Sequence, residues 1–227
     1  MEYQVVGGNF PVVICKLQSG ESMKCQSGAM TWMDPEIQME TKSGGIGKML
    51  GRLVSGENLV ENRYIANGNG EIAFGASFPG EILAIDLSGG RSVIAQKGSF
   101  LACTEGVETS VFFQKKLSGG LFGGEGFVMQ KYTGNGTVFI EIGGGTQEYT
   151  LEAGQKKIID TGYLVCMDDT CSMDIQTISG VANVVFGGEG LFNTVLTGPG
   201  KIILQTMPET GFISKIASQV AQMLPNK

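Results

Sequence analysis

Three glutamates stand at matching places in three glycine-rich stretches of this 227-residue chain: Glu57, Glu125 and Glu189. Each directly follows a glycine. A carboxylate there can accept backbone N–H hydrogen bonds from its own turn, a charge-assisted contact of about 1.5–3 kcal/mol. Three such carboxylates could instead bind a cation together, or work as an acid–base pair. We favour the structural role, because duplication preserves fold-forming residues, whereas an active site rarely requires one residue three times.

The rest of the reactive side chains argue against most kinds of catalysis and metal binding. The sequence has no histidine, which excludes Ser-His-Asp catalysis, Cys-His catalysis and histidine-ligated metals. Its cysteines are odd in number and form no Cys-x-x-Cys motif. We predict that they are buried as small hydrophobic residues, with a redox or metal role as the alternative. They are Cys15, Cys25, Cys103, Cys166 and Cys171. We therefore predict a protein that is not an enzyme and has no catalytic residue, metal or cofactor.

Composition and charge narrow the choice of partner and compartment. Hydrophobic residues make up 42% of the chain and charged residues 17%, which is enough apolar surface for a folded core. The net charge of -6 disfavours binding to a phosphate backbone, so we expect no nucleic-acid partner. The N-terminal residues lack the basic and apolar regions of a signal peptide, and no window holds 18 uncharged apolar residues. These features predict a cytoplasmic location.

The elements that hold these residues are organised as repeats. The block Gly123-Gly124-Glu125-Gly126 recurs as Gly187-Gly188-Glu189-Gly190, a shift of 64 residues, and a third copy precedes both. Short alternating apolar runs bounded by glycine turns indicate β-strands in each copy. We therefore predict an all-β fold of three tandem modules packed as one unit. Their expected bounds are residues 1–74, which include an insertion at 42–54, residues 75–140 and residues 141–204.

Glycine clusters between the strands are expected to form hairpin turns. Gly68-Asn69-Gly70 and Gly134-Asn135-Gly136 separate two apolar runs rather than a strand and a helix. That context argues against a dinucleotide-binding loop. It favours hairpin turns that need a positive φ.

Residues 205–227 are expected to contain an amphipathic helix. Thr206-Met207-Pro208-Glu209 has the form of a capping box with proline in the first turn. Four apolar residues fall on one face at helical spacing: Phe212, Ile213, Ile216 and Val220. We expect this face to dock against the β-modules or against a sister subunit, with lipid or another partner as the alternative.

The insertion at 42–54 is a second candidate interaction surface. Its apolar residues lie between glycines and could form a short amphipathic helix: Ile46, Met49, Leu50 and Leu53. Lys48 and Arg52 on the same segment make it a candidate for contact with a membrane surface. A cap over one end of the β-modules is the interpretation we prefer.

The recurring Gly-Glu-Gly-hydrophobic and Thr-Gly-x-Gly blocks, with Phe78-Pro79-Gly80-Glu81-Ile82 between copies, carry a family resemblance over roughly residues 1–205. The chain resembles the mitochondrial biogenesis family called altered inheritance of mitochondria. The resemblance implies three tandem β-sandwiches of jelly-roll type, similar to the tryptophan RNA-binding attenuation protein (TRAP-like). It also implies bacterial relatives of unknown function. Established catalytic residues are not part of what it implies.

Triplication without catalytic chemistry predicts a non-catalytic, homo-oligomeric scaffold or interaction protein. A protein partner or a membrane surface is the expected contact. The alternative is a small-molecule binding module whose ligand lies between repeats or subunits.

Overall fold

The structure is a computed structural model that describes residues 1–40, 61–115, 126–177 and 192–223. These residues are mostly β-strands, with one α-helix near the C-terminus. The prediction of an all-β fold with a C-terminal helix is therefore confirmed. The chain divides into two compact units. Unit 1 comprises Met1–Phe113 and Val128–Ile142, and unit 2 comprises Gln114–Phe127 and Gly143–Lys227.

Unit 1 is formed by the strands of the first two thirds of the chain. Three of these strands extend by one or two residues into unit 2. The strands are β1 (Glu2–Val6), β2 (Val12–Leu17), β3 (Ser22–Gln26), β4 (Met30–Met33), β5 (Ile37–Glu40), β6 (Glu61–Ala66), β7 (Gly70–Gly75), β8 (Gly80–Asp86), β9 (Val93–Gln96), β10 (Phe100–Thr104), β11 (Val107–Lys115), β12 (Phe127–Gly134) and β13 (Thr137–Gly143).

Unit 2 contains the remaining strands and the helix. They are β14 (Thr146–Leu151), β15 (Lys156–Asp160), β16 (Leu164–Asp168), β17 (Ser172–Thr177), β18 (Phe192–Thr197), β19 (Gly200–Gln205) and α1 (Glu209–Met223).

Two sheets of unit 1 share one apolar core. The first has the strand order β1-β2-β7-β4, and the second has the order β5-β6-β3-β10-β13-β8. In β2, Val13, Cys15 and Leu17 are buried while the residues between them are partly or fully exposed, the alternation of a strand with one face in a core. Met23 and Cys25 of β3 are buried in the same cluster. The alternating pattern of apolar residues thus selects which face of each sheet is covered.

Unit 2 has two groups of neighbouring strands, β16-β19-β14 and β15-β18-β17. Its buried polar groups are hydrogen bonded. The Thr194 hydroxyl donates to Thr161 Oγ1 at 3.0 Å, and the Thr161 hydroxyl donates to the Phe192 carbonyl oxygen at 2.9 Å. Gln205 Nε2 donates to the Gly162 carbonyl oxygen at 2.8 Å. Each of these buried donors has an acceptor. The free energy lost when the polar side chains leave water is therefore largely recovered in hydrogen bonds.

The glycine clusters between strands do not form hairpins, so that expectation was wrong. Gly68-Asn69-Gly70 connects β6, which pairs with β3 and β5, to β7, which pairs with β2 and β4 in another sheet. Gly134-Asn135-Gly136 connects β12 to β13 in the same manner. Apolar runs on either side of a glycine turn predict two strands, but they do not determine whether the two strands pair with each other or belong to different sheets. The predicted positive φ occurs at Gly134, which has φ +98°, but not at Gly68, Gly70 or Gly136.

A substitution at Gly134 tests how closely the backbone is packed at such a connection between two sheets. A Cβ added there would overlap the carbonyl oxygen of Gly106, and the positive φ is itself unfavourable for an L residue. We expect Gly134→Ala to lower the free energy of unfolding by about 1–3 kcal/mol from backbone strain alone, measured by urea denaturation. Gly98→Ala is the matched control, because no atom lies within 4 Å of its added Cβ. Equal stability of the two variants would contradict this account.

Candidate interaction surface

Most of the predicted site residues lie outside the described residues. These are Glu57, Glu125 and Glu189 and the insertion residues Ile46, Met49, Leu50 and Leu53. The chain order places the three glutamates in matching connections, from β5 to β6, from β11 to β12 and from β17 to β18. Their roles, and the roles of the four apolar residues, stay predictions.

Helix α1 begins where the proline and the capping pattern predicted. The Phe212 N–H donates to the Pro208 carbonyl oxygen at 3.1 Å, which closes the first turn. The predicted apolar face remains open to solvent in the single chain. Phe212 is 37% exposed, Ile213 and Ile216 are each 47% exposed, and Val220 is 49% exposed. An apolar helix face left this exposed favours contact with something outside the chain.

A second exposed apolar set lies on two strands at the ends of their strand orders. Strand β4 carries Trp32, which is 45% exposed, and Met33, which is 37% exposed. Strand β15 carries Ile158, which is 65% exposed. Within the part of the chain that the structure describes, β4 pairs on one side only, with β7, and β15 pairs on one side only, with β18.

Sequence reasoning did not identify these three residues. Alignment of the repeats places Met33 opposite Cys103 and Trp32 opposite Cys166, and both cysteines are buried. The same alignment therefore implied that Trp32 and Met33 belong to the core. A usable signal was present in β15, where Ile158 and Ile159 are adjacent. Successive side chains of a strand point to opposite faces, so one of the two isoleucines must point away from the core.

A polar cleft of about 480 Å³ opens on unit 1 near the N-terminus. Its lining mixes charges of both signs with backbone: Met1, Glu2, Lys16, Leu17, Gln18, Asp34, Asn69, Gly70 and Glu71. Lys16 Nζ lies 3.5 Å from a carboxylate oxygen of Glu2, and Asp34 accepts a hydrogen bond of 2.8 Å from the Glu71 N–H. The cleft therefore offers both donors and acceptors to a small polar molecule.

The five cysteines are buried and reduced, which confirms the prediction of core thiols. Burial raises the pKa of the Cys15 thiol to about 12. Burial also raises the pKa of Cys171, and the nearby Asp168 carboxylate raises it further. A thiol reacts as its thiolate, so burial and a raised pKa both suppress reactivity. No group of three or more His, Cys, Asp or Glu side chains among the described residues is placed to hold a metal ion.

Thiol labelling of the native protein checks this description. At pH 8 we expect none of the five cysteines to react with a soluble disulfide reagent in the folded state, and all five to react in denaturant. Met39→Cys serves as the positive control, since Met39 is 48% exposed on β5. That variant is expected to show one fast-reacting thiol. A fast thiol in the wild-type protein would overturn the assignment of the cysteines to the core.

No helix among the described residues is both long and apolar enough to cross a membrane.

Comparison with known proteins agrees with the all-β fold. The family model described as mitochondrial biogenesis AIM24 matches residues 3–207. An uncharacterized protein of Streptococcus pyogenes serotype M6 is 31% identical over 208 residues, which cover 87% of this chain and 82% of that protein. An X-ray crystal structure of a Streptococcus pyogenes protein superposes with a TM-score of 0.80 at 26% identity, covering 98% of this chain and 99% of the other. The chain belongs to the mitochondrial biogenesis AIM24 family.

Proposed function

We propose that this protein is a non-catalytic scaffold or interaction protein that works as a homo-oligomer. The observation that carries the proposal is helix α1, whose apolar residues Phe212, Ile213, Ile216 and Val220 are all at least 37% exposed in the single chain. Leaving such a face in water is unfavourable by roughly 25 cal/mol per Å² of apolar surface, and a partner removes that cost. A second copy is the partner we favour, and a membrane surface is the alternative.

The repeat organisation supports an architectural role. Shifts of 70 and then 64 residues bring the same irregularity of strand pairing into register. It falls between Met30 and Trp32 in the β4·β7 pair and between Phe100 and Ala102 in the β10·β13 pair. It recurs between Leu164 and Cys166 in the β16·β19 pair. A β-bulge at one place in each third of the chain supports three modules of a common, TRAP-like design, because bulges are specific features of a fold.

The chemistry of the side chains supports a role without turnover. The chain lacks histidine, and its five thiols are buried. A nucleophile needs access to substrate, and these buried thiols do not have it. The net charge of -6 disfavours a nucleic-acid partner, and we propose a cytoplasmic location.

Substitution of the helix face tests the proposal. We expect the double variant Ile213→Gln with Ile216→Gln to lower the assembly mass measured by native mass spectrometry, because it removes apolar contact but keeps helix propensity. The melting temperature of the isolated chain should change little, since both side chains are about half exposed. Gln219→Glu, also exposed on α1, is the matched control.

Three results separate the possibilities for the helix. Loss of assembly in the double variant alone supports a second copy as the partner. Wild-type protein that stays monomeric but binds liposomes through the same residues supports the membrane alternative. Wild-type protein that stays monomeric and binds no liposomes would refute the proposed use of the helix.

The polar cleft near the N-terminus favours a second candidate function, the binding of a small polar molecule. The volume of the cleft, about 480 Å³, lies within the range of ligand sites. Its lining offers a ligand several carboxylates as well as the Lys16 ammonium. A thermal-shift screen of anionic and zwitterionic metabolites is the direct test. A true ligand should raise the melting temperature of the wild-type protein and have less effect on Lys16→Gln. A screen without any stabilising compound would count against this function.

A further inference from the structure

Strands β3 and β10 show how two edges in unit 1 complete each other. They pair antiparallel, with Ala102 opposite Cys25, Cys103 opposite Lys24 and Thr104 opposite Met23. All of these side chains except Lys24 and Thr104 are fully buried. The edge of β3 thus gains backbone hydrogen bonds and an apolar cover from β10.

Polar contacts reinforce that junction. Lys24 Nζ donates to the Val107 carbonyl oxygen at 2.6 Å, and the Ser22 hydroxyl donates to a Glu105 carboxylate oxygen at 3.0 Å. Arg63 Nε donates to the same Glu105 oxygen at 2.9 Å. Although burial raises the pKa of Glu105, the hydrogen bonds from Arg63 and Ser22 outweigh it and hold the pKa below its usual value. Glu105 is therefore ionised at neutral pH and serves as an acceptor in the junction.

Strands β4 and β15 occupy the corresponding places without such a partner. Strand β10 lies between β13 and β3, and β4 has only the corresponding neighbour β7. Strand β3 lies between β6 and β10, and β15 has only the corresponding neighbour β18. In the described residues each of these two strands therefore has one edge without a neighbouring strand. The open edge of β4 corresponds to the edge of β10 that pairs with β3, and the open edge of β15 corresponds to the edge of β3 that pairs with β10. An unpaired strand edge is a template for a strand from another chain.

We propose that β4 of one copy pairs antiparallel with β15 of a second copy, in the register that β10 and β3 use. That register sets Trp32 opposite Ile159, Met33 opposite Ile158 and Asp34 opposite Lys157. The proposal rests on the homo-oligomeric function proposed above and names a second surface, besides the face of α1, through which copies meet.

The exposed side chains fit this pairing. Met33 and Ile158, at 37% and 65% exposed, would lie directly opposite each other on one face. Side chains directly opposite each other on paired strands interact and stabilise the pairing. Trp32, at 45% exposed, would be covered together with them. One contact therefore removes from water the apolar side chains that these two edge strands leave exposed.

Charge also favours this pairing of β4 with β15. Strand β15 begins with Lys156 and Lys157, whereas Asp34 and Glu36 stand at the end of β4. In the proposed register Asp34 would stand opposite Lys157, which is an opposite-charge cross-strand pair. Because each copy carries one edge of each kind, the contact is head-to-tail, and it closes as a ring if the rotation between copies permits.

The single tryptophan of the chain reports this contact directly. Trp32 is the only tryptophan present. We expect its emission to shift to shorter wavelength, and acrylamide quenching to fall, as the wild-type protein is concentrated into its assembled state. Ile158→Lys places a third cation on β15 and should raise the dissociation constant roughly tenfold or more. Residue 158 then controls the environment of residue 32 of another copy.

The matched control is Val111→Lys on β11, since Val111 is 53% exposed. That variant should assemble with the same Trp32 shift as the wild-type protein. A circular dichroism melt of each variant verifies that it folds. Assembly without any change at Trp32, or equal weakening by both lysine variants, would overturn the proposed contact.

Disulfide trapping tests the register. Separately purified Met33→Cys and Ile158→Cys proteins are mixed and oxidised, and we expect a disulfide between residues 33 and 158 of different chains, identified by peptide mass spectrometry. The native cysteines are buried and do not compete. Met39→Cys mixed with Ile158→Cys is the control and should not be trapped.

The outcomes separate this proposal from the function on which it rests. Assembled protein without the 33–158 disulfide, or with 33–33 disulfides in equal yield, refutes the pairing and leaves the oligomeric function standing. Wild-type protein that is monomeric throughout the concentration series refutes both.

Discussion

The outer strand of a β-sheet carries backbone N–H and C=O groups that nothing in its own sheet can satisfy, and this constraint governs the architecture. Stacking two sheets buries their apolar faces but leaves such edges open. In unit 1, β3 and β10 meet this requirement for each other, and the junction draws buried cysteines, Lys24 and Glu105 into one contact. Among the described residues, β4 and β15 pair on one side only, and their exposed apolar residues lie next to such open edges.

Sequence patterns predicted much of the fold because each depends on local chemistry. Alternating residues such as those of β2 predicted strands, since one face of a sheet must be apolar. The proline and capping residues before Glu209 predicted where α1 begins. The connectivity could not be derived in the same way. A glycine turn such as Gly134-Asn135-Gly136 reverses the chain equally well within a sheet or between two sheets, and long-range pairing decides between them.

The candidate surfaces also differ in whether the sequence could predict them. The apolar face of α1 was predictable from helical spacing, and the structure leaves it exposed. Trp32 and Met33 were not predictable, because their repeat counterparts are buried cysteines. Alternation along a strand determines which way a side chain points. Whether that side chain is covered depends on which strand lies beside its own, and in the described residues β4 and β15 have a neighbour on one side only.

The five buried cysteines link the conformational stability of this protein to its resistance to oxidation. Folding keeps the thiols away from oxidants and, at Cys15 and Cys171, disfavours the thiolate that oxidants attack. Unfolding removes both protections at once. A chain oxidised in that state would carry disulfides or oxidised sulfur at positions that are buried in the native core, so it could not refold until those thiols were reduced again. A reducing environment and a slow unfolding rate thus protect the same property, the lifetime of the native protein.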